Sequence, residues 1–460
     1  MTRAQVILGP ILNPRPDGEV EFSADGAIAC DNAGTIDYVG PAAGLPPALA
    51  TGRLSRRTSH LLLPPFVDAH IHIPQHPIRG HFMDVVGANP EHGRLLAGLN
   101  RNVFPAEARC ADRAVAEQVV ADFAADTLAK GVVGGAAYMT VHAEATDVAL
   151  SRLHPFWRVG LVLMEMNCPD YLRVDPASVI AEMESLADQF GERFIVTDRF
   201  AVAVGSDLRR RAARLAWDRD LMTQTHLNEQ VREKQFVERT LYPDYASYTD
   251  VYRQDGLLDA TAIVAHCIHM TEAEMGMLAP RQPFVAHCPT SNALLCSGIM
   301  PLDRIAGHGL EYAICTDVGA SPTTSMLAEM AQFLKVHAGR SGAATPSEAL
   351  FRATLAPALK LGIETGRFAI GAPLSFIEVR ADGAPFAFAD DAIRRGLLEM
   401  TRDHERGNYQ AALDALQQGT LDCGSSLNLL EADVRDTARR LDDKVISVTL
   451  AGEEIWRRKV

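Results

Sequence analysis

Phe66-Val67-Asp68-Ala69-His70-Ile71-His72 is the segment of this chain whose residue types and spacing most directly offer chemistry. Side chains alternate faces along a strand, so His70 and His72 point the same way, as two ligands of one ion must. Surface histidines also occur at this spacing without a ligand. Here the pair closes an apolar run and is followed by Pro74, Pro77 and Gly80. His226 ends Met222-Thr223-Gln224-Thr225-His226, and Asp317 follows Tyr312-Ala313-Ile314-Cys315. Taken singly, His226 reads as a structural histidine and Asp317 as a helix cap. Glu229, three residues beyond His226, reads as a carboxylate that favours a helix dipole. Taken together, three imidazoles and a carboxylate at the ends of apolar runs form a donor set that Zn²⁺ accepts, with nitrogen ligands expected at about 2.0–2.1 Å. Ligand type leaves Fe²⁺ open. Such an ion lowers the pKa of bound water towards about 7. A catalytic ion must keep a place for that water, so five-coordination or a weakly bound Asp317 is expected. His266, ending Ala262-Ile263-Val264-Ala265-His266, reads either as a residue orienting the attacking oxygen or as a core histidine. His269 and His287 lie near the same ends, and Pro289-Thr290-Ser291-Asn292 offers polar groups that can equally cap a helix.

These residues converge only if several strands end at one rim. Short apolar runs alternate with helical stretches through the middle of the chain, the pattern of βα units and a parallel sheet. Eight runs qualify as strands, near residues 61–72, 132–139, 157–166, 194–204, 221–229, 261–267, 283–289 and 311–317. Between the first two, Val115, Val119, Phe123 and Leu128 approximate one apolar helix face, with Gly131 placed to end it. Eight parallel strands predict a closed barrel, whose active sites form at the C-terminal strand ends. Turns at Asp17-Gly18, Asp25-Gly26 and Ala33-Gly34, and a strand pattern over 444–452, predict a second β unit built from both termini. The fold class is therefore read as α/β, a (β/α)8 TIM-like barrel with a small β-sandwich domain formed by both chain ends. The expected division is 1–64 for the N-terminal part of the sandwich, 65–365 for the barrel, and 366–460 for the C-terminal part plus a helical segment.

Composition narrows the partners. The 460 residues are 47% hydrophobic and carry a formal charge of −14, which argues against nucleic acid, since that affinity comes from clustered Lys and Arg. A free small molecule is the expected ligand. Eight cysteines without a Cys-x-x-Cys pair read as reduced thiols with no zinc ribbon or disulfide framework. No apolar stretch reaches the roughly 18 residues of a membrane span, and the N-terminus lacks a secretory pattern. The chain is expected to be soluble and cytoplasmic.

These residues, in this order, resemble the amidohydrolase superfamily and, within it, the guanine deaminase branch. The likeness extends from Pro64-Pro65-Phe66 through His72 to Pro74-Gln75, then to Phe104-Pro105-Ala106-Glu107, Met166-Asn167-Cys168-Pro169-Asp170-Tyr171 and Arg199-Phe200. It continues in His226-Leu227-Asn228-Glu229, Leu241-Tyr242-Pro243 with Tyr248, Ala265-His266, His287 to Asn292, Thr316-Asp317 and Ser325-Met326-Leu327. It covers most of residues 61–330 and is weak in the terminal segments. The resemblance implies that His70, His72, His226 and Asp317 hold one zinc ion, with iron still open, and that Glu229 and Asp317 shuttle protons. It further implies that Gln75, Arg199, Phe200 and His266 hold a purine, His266 also serving catalysis, in a homodimeric enzyme. Arg199 carries paired donors suited to a carbonyl oxygen and Phe200 a π-face for the ring, although Arg199 also reads as a surface ion pair.

The implied reaction is hydrolytic deamination of guanine to xanthine and ammonia. Alternatives are deamination or dechlorination of 8-oxoguanine, a pterin or a triazine, or a metal-free scaffold of the same superfamily. Binuclear members use a carboxylated lysine on the fourth strand. The six lysines here (130, 234, 335, 360, 444 and 459) avoid residues 194–204, so one ion is expected. Three positions depart from the branch. Gly98 stands in the lid segment where a tryptophan is usual, Gly131-Val132-Val133-Gly134-Gly135 replaces a threonine-rich strand, and Asp198 replaces proline before Arg199. A lost indole predicts a larger pocket, and Phe82–Asn102 has the length and glycines of a lid.

Overall fold

The computed structural model describes residues 5–50, 54–81, 95, 98–381, 383–401, 410–418 and 425–459. Residues 82–94, 96 and 97 of the expected lid lie outside the described residues. The chain opens with β1 (Gln5–Pro14), β2 (Val20–Cys30), β3 (Ile36–Pro41), β4 (Leu54–Arg57) and β5 (Leu61–Leu63). The middle supplies β6 (Phe66–His72), β7 (Val132–Tyr138), β8 (Trp157–Gly160), β9 (Val162–Leu163), β10 (Val196–Asp198) and β11 (Thr223–Leu227). It continues with β12 (Ala262–His266), β13 (Phe284–His287) and β14 (Tyr312–Ile314), before β15 (Phe376–Val379), β16 (Val445–Leu450) and β17 (Glu453–Arg457).

Both chain ends meet in one hydrogen-bonded sheet, ordered β17-β16-β15-β5-β1-β2-β3 with β4 against β1. Strand periodicity gives this sheet two buried faces. Leu61 and Leu63 of β5 enter the main core shared with the barrel, while Leu62 between them joins a separate cluster with Ile7, Ile28 and Phe376.

The barrel staves run parallel as β6-β7-β8 and β9 through β14. The two arcs meet through the third stave, where Leu161 separates β8, paired with β7, from β9, paired with β10. They close where Asp317 N donates to His70 O at 3.0 Å and His72 N to Val318 O at 2.9 Å. The observed strands are shorter than the expected runs, and in two of them the local cause is plain. The 61–72 run divides at Pro64-Pro65, which lack backbone donors for a ladder, so β5 serves the terminal sheet and β6 the barrel. The 194–204 run narrows to β10 because the chain turns after Arg199, with Ala203 N donating to Phe200 O at 2.9 Å.

The helix Arg113–Ala129 is capped by Asp112, which accepts from Ala114 N and Val115 N, and buries Val119 and Phe123. Gly131, at φ 76°, ends it in the left-handed region and turns the chain into β7. The described cysteines are free thiols. Among the described residues no helix is long and apolar enough to cross a membrane.

Candidate active site

The histidine pair owes its placement to Asp68. This buried carboxylate accepts from His70 N and Thr316 N, each at 3.2 Å, and from Thr316 Oγ1 at 2.6 Å. It thereby ties the end of β6 to the segment carrying Asp317. Burial pushes its pKa up to about 7 against these hydrogen bonds. Asp68→Ala leaves the donors of Thr316 and His70 unanswered inside the barrel and is expected to cost about 2–4 kcal/mol of stability. Because Asp68 also orients two proposed ligands, zinc affinity is expected to fall by about 10–100-fold. Urea unfolding and zinc titration check both, and unchanged values in the two assays would reject this role.

His70, His72, His226 and Asp317 each offer a ligand atom, and these atoms all lie within 4.8 Å of one another. Asp317 Oδ1 is 3.3 Å from His70 Nε2 and 3.2 Å from His72 Nε2, and His226 Nε2 is 3.3 Å from His72 Nε2. Burial lowers the His70 pKa to about 4 and holds His226 well below its usual range, with neighbouring histidines adding to the effect at His226. Both imidazoles are therefore neutral at pH 7, the state that binds metal. Burial would raise Asp317, but the adjacent imidazoles of His70 and His72 hold it well below its usual range and therefore ionised. His226 Nδ1 lies 2.5 Å from Arg199 O. A carbonyl only accepts, so Nδ1 carries the proton and Nε2 presents its lone pair to the cluster.

The buried His70 Nδ1 and Nε2 and His72 Nδ1 make no aligned hydrogen bond. Buried polar atoms without partners are rare and require an explanation. Neutral nitrogens and one carboxylate converging on one point suit a divalent cation such as zinc, and the residues present fit that group.

Asp317 is not a helix cap. The following helix, Met326–His337, is capped by Ser325, while Asp317 Oδ2 accepts from Ser291 Oγ at 2.5 Å. Its backbone, like that of His266, is left-handed, at φ 52° and 71° respectively, a conformation that concentrates at functional strand ends. Glu229 likewise leaves the capping task to Glu233, whose Oε2 accepts from Glu229 N at 3.1 Å and Gln230 N at 3.0 Å. The freed Glu229 side chain lines the cavity, accepting from Ser297 Oγ at 2.8 Å, with His266 Nε2 3.7 Å from its other oxygen. Burial, aided by the charges of Glu233 and Asp317, raises the Glu229 pKa to about 7, against His266 and Ser297, which lower it. Asn292 Oδ1 accepts from His266 Nδ1 at 2.9 Å and so aims Nε2 at Glu229.

These groups surround a cavity of about 410 Å³, lined also by Gln75, Leu95, Leu99, Arg199, Phe200, Leu295 and Ala320. Every sequence-selected site residue except His70 is part of its lining, and His70 sits behind His72 with a ring-centroid distance of 5.2 Å. Two rim histidines point elsewhere: His287 meets His337 at 2.9 Å, and His269 donates to Ser297 O at 2.7 Å. Arg199 does form an ion pair, but inside the protein, with the fully buried Glu107.

Glu107, Asp68 and Ser297 act on this site without having been given a role from the sequence, and Ser291 and Asn292, read there as polar groups that can equally cap a helix, act on it as well. Asp68 and Glu107 sit inside notable motifs, whereas Ser297 carried no local signal. The three departures resolve differently. Leu95 and Leu99 wall the cavity and Gly98 is absent from its lining. The glycines of β7 serve strand packing, since a Cβ on Gly135 would sit 1.8 Å from Asp68 O. Asp198 accepts from Thr225 Oγ1 at 3.0 Å, bracing β10 against β11 directly beneath Arg199 and His226.

A parallel barrel that gathers neutral imidazoles and a carboxylate at its strand ends, beside a further buried acid, defines a metal-dependent hydrolase. The chain belongs to the amidohydrolase family, whose profile it matches over residues 61–394. It is 32% identical over 369 residues to the guanine deaminase of Escherichia coli (strain K12), covering 77% of this chain and 82% of that protein. In fold it is similar to the guanine deaminase from C. acetobutylicum with bound guanine, with a TM-score of 0.78, 23% identity, and 99% and 100% of the two chains covered. It is also similar to an adenosine deaminase from Xanthomonas campestris with bound zinc, at a TM-score of 0.72 and 22% identity over 98% of this chain and 92% of that one.

Proposed function

We propose that the protein hydrolytically deaminates guanine to xanthine and ammonia, using one zinc ion held by His70, His72, His226 and Asp317. The observation that carries this reading is a single cavity joining that donor cluster, the buried Glu229, and a recognition wall of Gln75, Arg199 and Phe200. The sequence likeness to the E. coli enzyme supports the same substrate. An ion held by these four residues would supply water of lowered pKa at the cavity.

The chain's own residues account for binding and proton transfer. Arg199 and Gln75 donate to the carbonyl edge of the purine and Phe200 covers its face. A C–O bond forms at the amino-bearing ring carbon, the C–N bond breaks, and ammonia leaves. Glu229 accepts one proton from water and delivers it to the adjacent ring nitrogen, and the remaining proton passes to the departing amine with help from Asp317. His266, fixed by Asn292, orients the attacking oxygen and the substrate. A homodimer remains the expected assembly.

The aliphatic wall of Leu95 and Leu99 favours a second reading, an amino-heterocycle bearing an extra ring substituent. An ammonia-release screen over guanine, 8-oxoguanine, isoxanthopterin, adenine, cytosine and ammeline separates the two. Guanine is expected to give the largest kcat/KM, and a much larger value for another compound would replace it as the substrate.

A further inference from the structure

Glu107 lies in the helix Phe104–Ala108, fully buried and outside the cavity lining. Its carboxylate serves both polar residues of the recognition wall. Oε1 accepts from Gln75 Nε2 at 3.0 Å and from Arg199 Nη1 at 2.8 Å, and Oε2 accepts from Arg199 Nη1 at 2.9 Å. The guanidinium also sits over the Phe104 ring, 5.2 Å from its centroid, in the same short helix.

Counting donors shows what this does. One Nη1 hydrogen of Arg199 is shared between the two oxygens of Glu107, leaving the other Nη1 hydrogen, Nε and Nη2 as the donors available to a ligand. Gln75 gives one Nε2 hydrogen to Glu107 and accepts at Oε1 from Gly319 N at 3.3 Å. A flipped amide would put its oxygen against the carboxylate, so the orientation of Gln75 is fixed. Charge has a second consequence. An unpaired guanidinium in a buried wall attracts anions, whereas one matched by a buried carboxylate still donates hydrogen bonds while its net charge is cancelled.

We propose that Glu107 is a positioning and specificity-determining residue: it fixes the donor directions of Gln75 and Arg199, and it neutralises Arg199 so that the site takes an uncharged amino-heterocycle and rejects an anionic one. This rests on the recognition wall described under the proposed function. Xanthine ionises more readily than guanine, so the same neutrality assists release of the product.

The test is Glu107→Gln, which keeps the shape of the side chain and removes its charge, assayed with guanine as substrate and urate, an anionic purine, as inhibitor. The KM for guanine is expected to rise at least about tenfold and the inhibition constant of urate to fall at least about tenfold, so that their ratio rises by about 10² or more, with zinc content unchanged. Glu107→Asp keeps the charge and is expected to raise KM while leaving the ratio within about threefold of wild type. The double variant Glu107→Gln/Arg199→Gln removes both charges and is expected to restore the wild-type ratio; should Glu107→Gln fail to fold, Glu107→Met, which removes the charge at similar length, is expected to raise the ratio in the same way and carries the test. A role in packing alone would weaken both ligands together, and a constant ratio across these variants would overturn the proposal. If the wild-type chain does not turn over guanine, the proposed substrate is wrong, and the same ratio is then measured with the compound the ammonia screen identifies.

Discussion

Glu229→Gln is expected to bind metal as the wild type does and to lose at least about 10²-fold in kcat, the scale of general acid–base catalysis. Metal retention follows from geometry, because Glu229 is outside the group of four converging ligand atoms. The amide has nearly the shape of the carboxylate and can still accept from Ser297 Oγ, which lies 2.8 Å from Glu229 Oε1. What it cannot do is take a proton from water. Burial raises the Glu229 pKa above the usual carboxylate range, which eases proton exchange in both directions, as a group serving first as base and then as acid requires. Ammonia release at saturating substrate, with metal content measured on the same sample, decides the matter. Near-normal turnover in a metal-replete variant would remove Glu229 from the mechanism.

Removing the ion is expected to have an effect at least as large. A chelated preparation should lose about 10³-fold or more in turnover, since Lewis-acid assistance is worth several kcal/mol and each 1.36 kcal/mol is about tenfold. Zinc should restore it at about one equivalent per chain, because no lysine sits on β10 or in the turn after it to support a second ion. His226→Ala should not recover in the same way. It deletes the nitrogen whose lone pair is directed into the cluster by the Arg199 carbonyl, 2.5 Å from the opposite side of the ring. A wild-type preparation holding less than about a tenth of an equivalent, and inactive after loading with zinc, manganese or iron, would sink the enzymatic reading in favour of a scaffold.

Much of this site is legible along the chain because its candidate ligands depend on strand periodicity. His70 and His72 share a face by alternation alone, and His226, His266 and Asp317 each follow an apolar run short enough to be a barrel strand. The parallel barrel follows from the same alternation of strands and helices. Where the sequence reading overran, a local cause is visible: Pro64-Pro65 divides one run between two sheets, and the turn after Arg199 cuts another to three residues.

Other features had no local signature because they depend on contacts between distant segments. Asp68 and Thr316 meet across 248 positions and Ser297 reaches Glu229 across 68. The Gly131–Gly135 strand resembled a change in the pocket, yet its glycines answer the close approach of two backbones, which only the packed sheet reveals.

By itself, the sequence determined the barrel and the shared face of His70 and His72, since side-chain alternation and apolar period are properties of a single segment, while the resemblance put forward the four proposed ligands and Glu229. Only the tertiary structure decided which carboxylate serves which task. Glu229 is turned into the cavity because Glu233 caps the helix, and Arg199 is neutralised because Glu107 reaches it from 92 positions away. The reason is physical: a buried charge is defined by the partner that desolvation forces on it, and that partner is chosen by proximity in space.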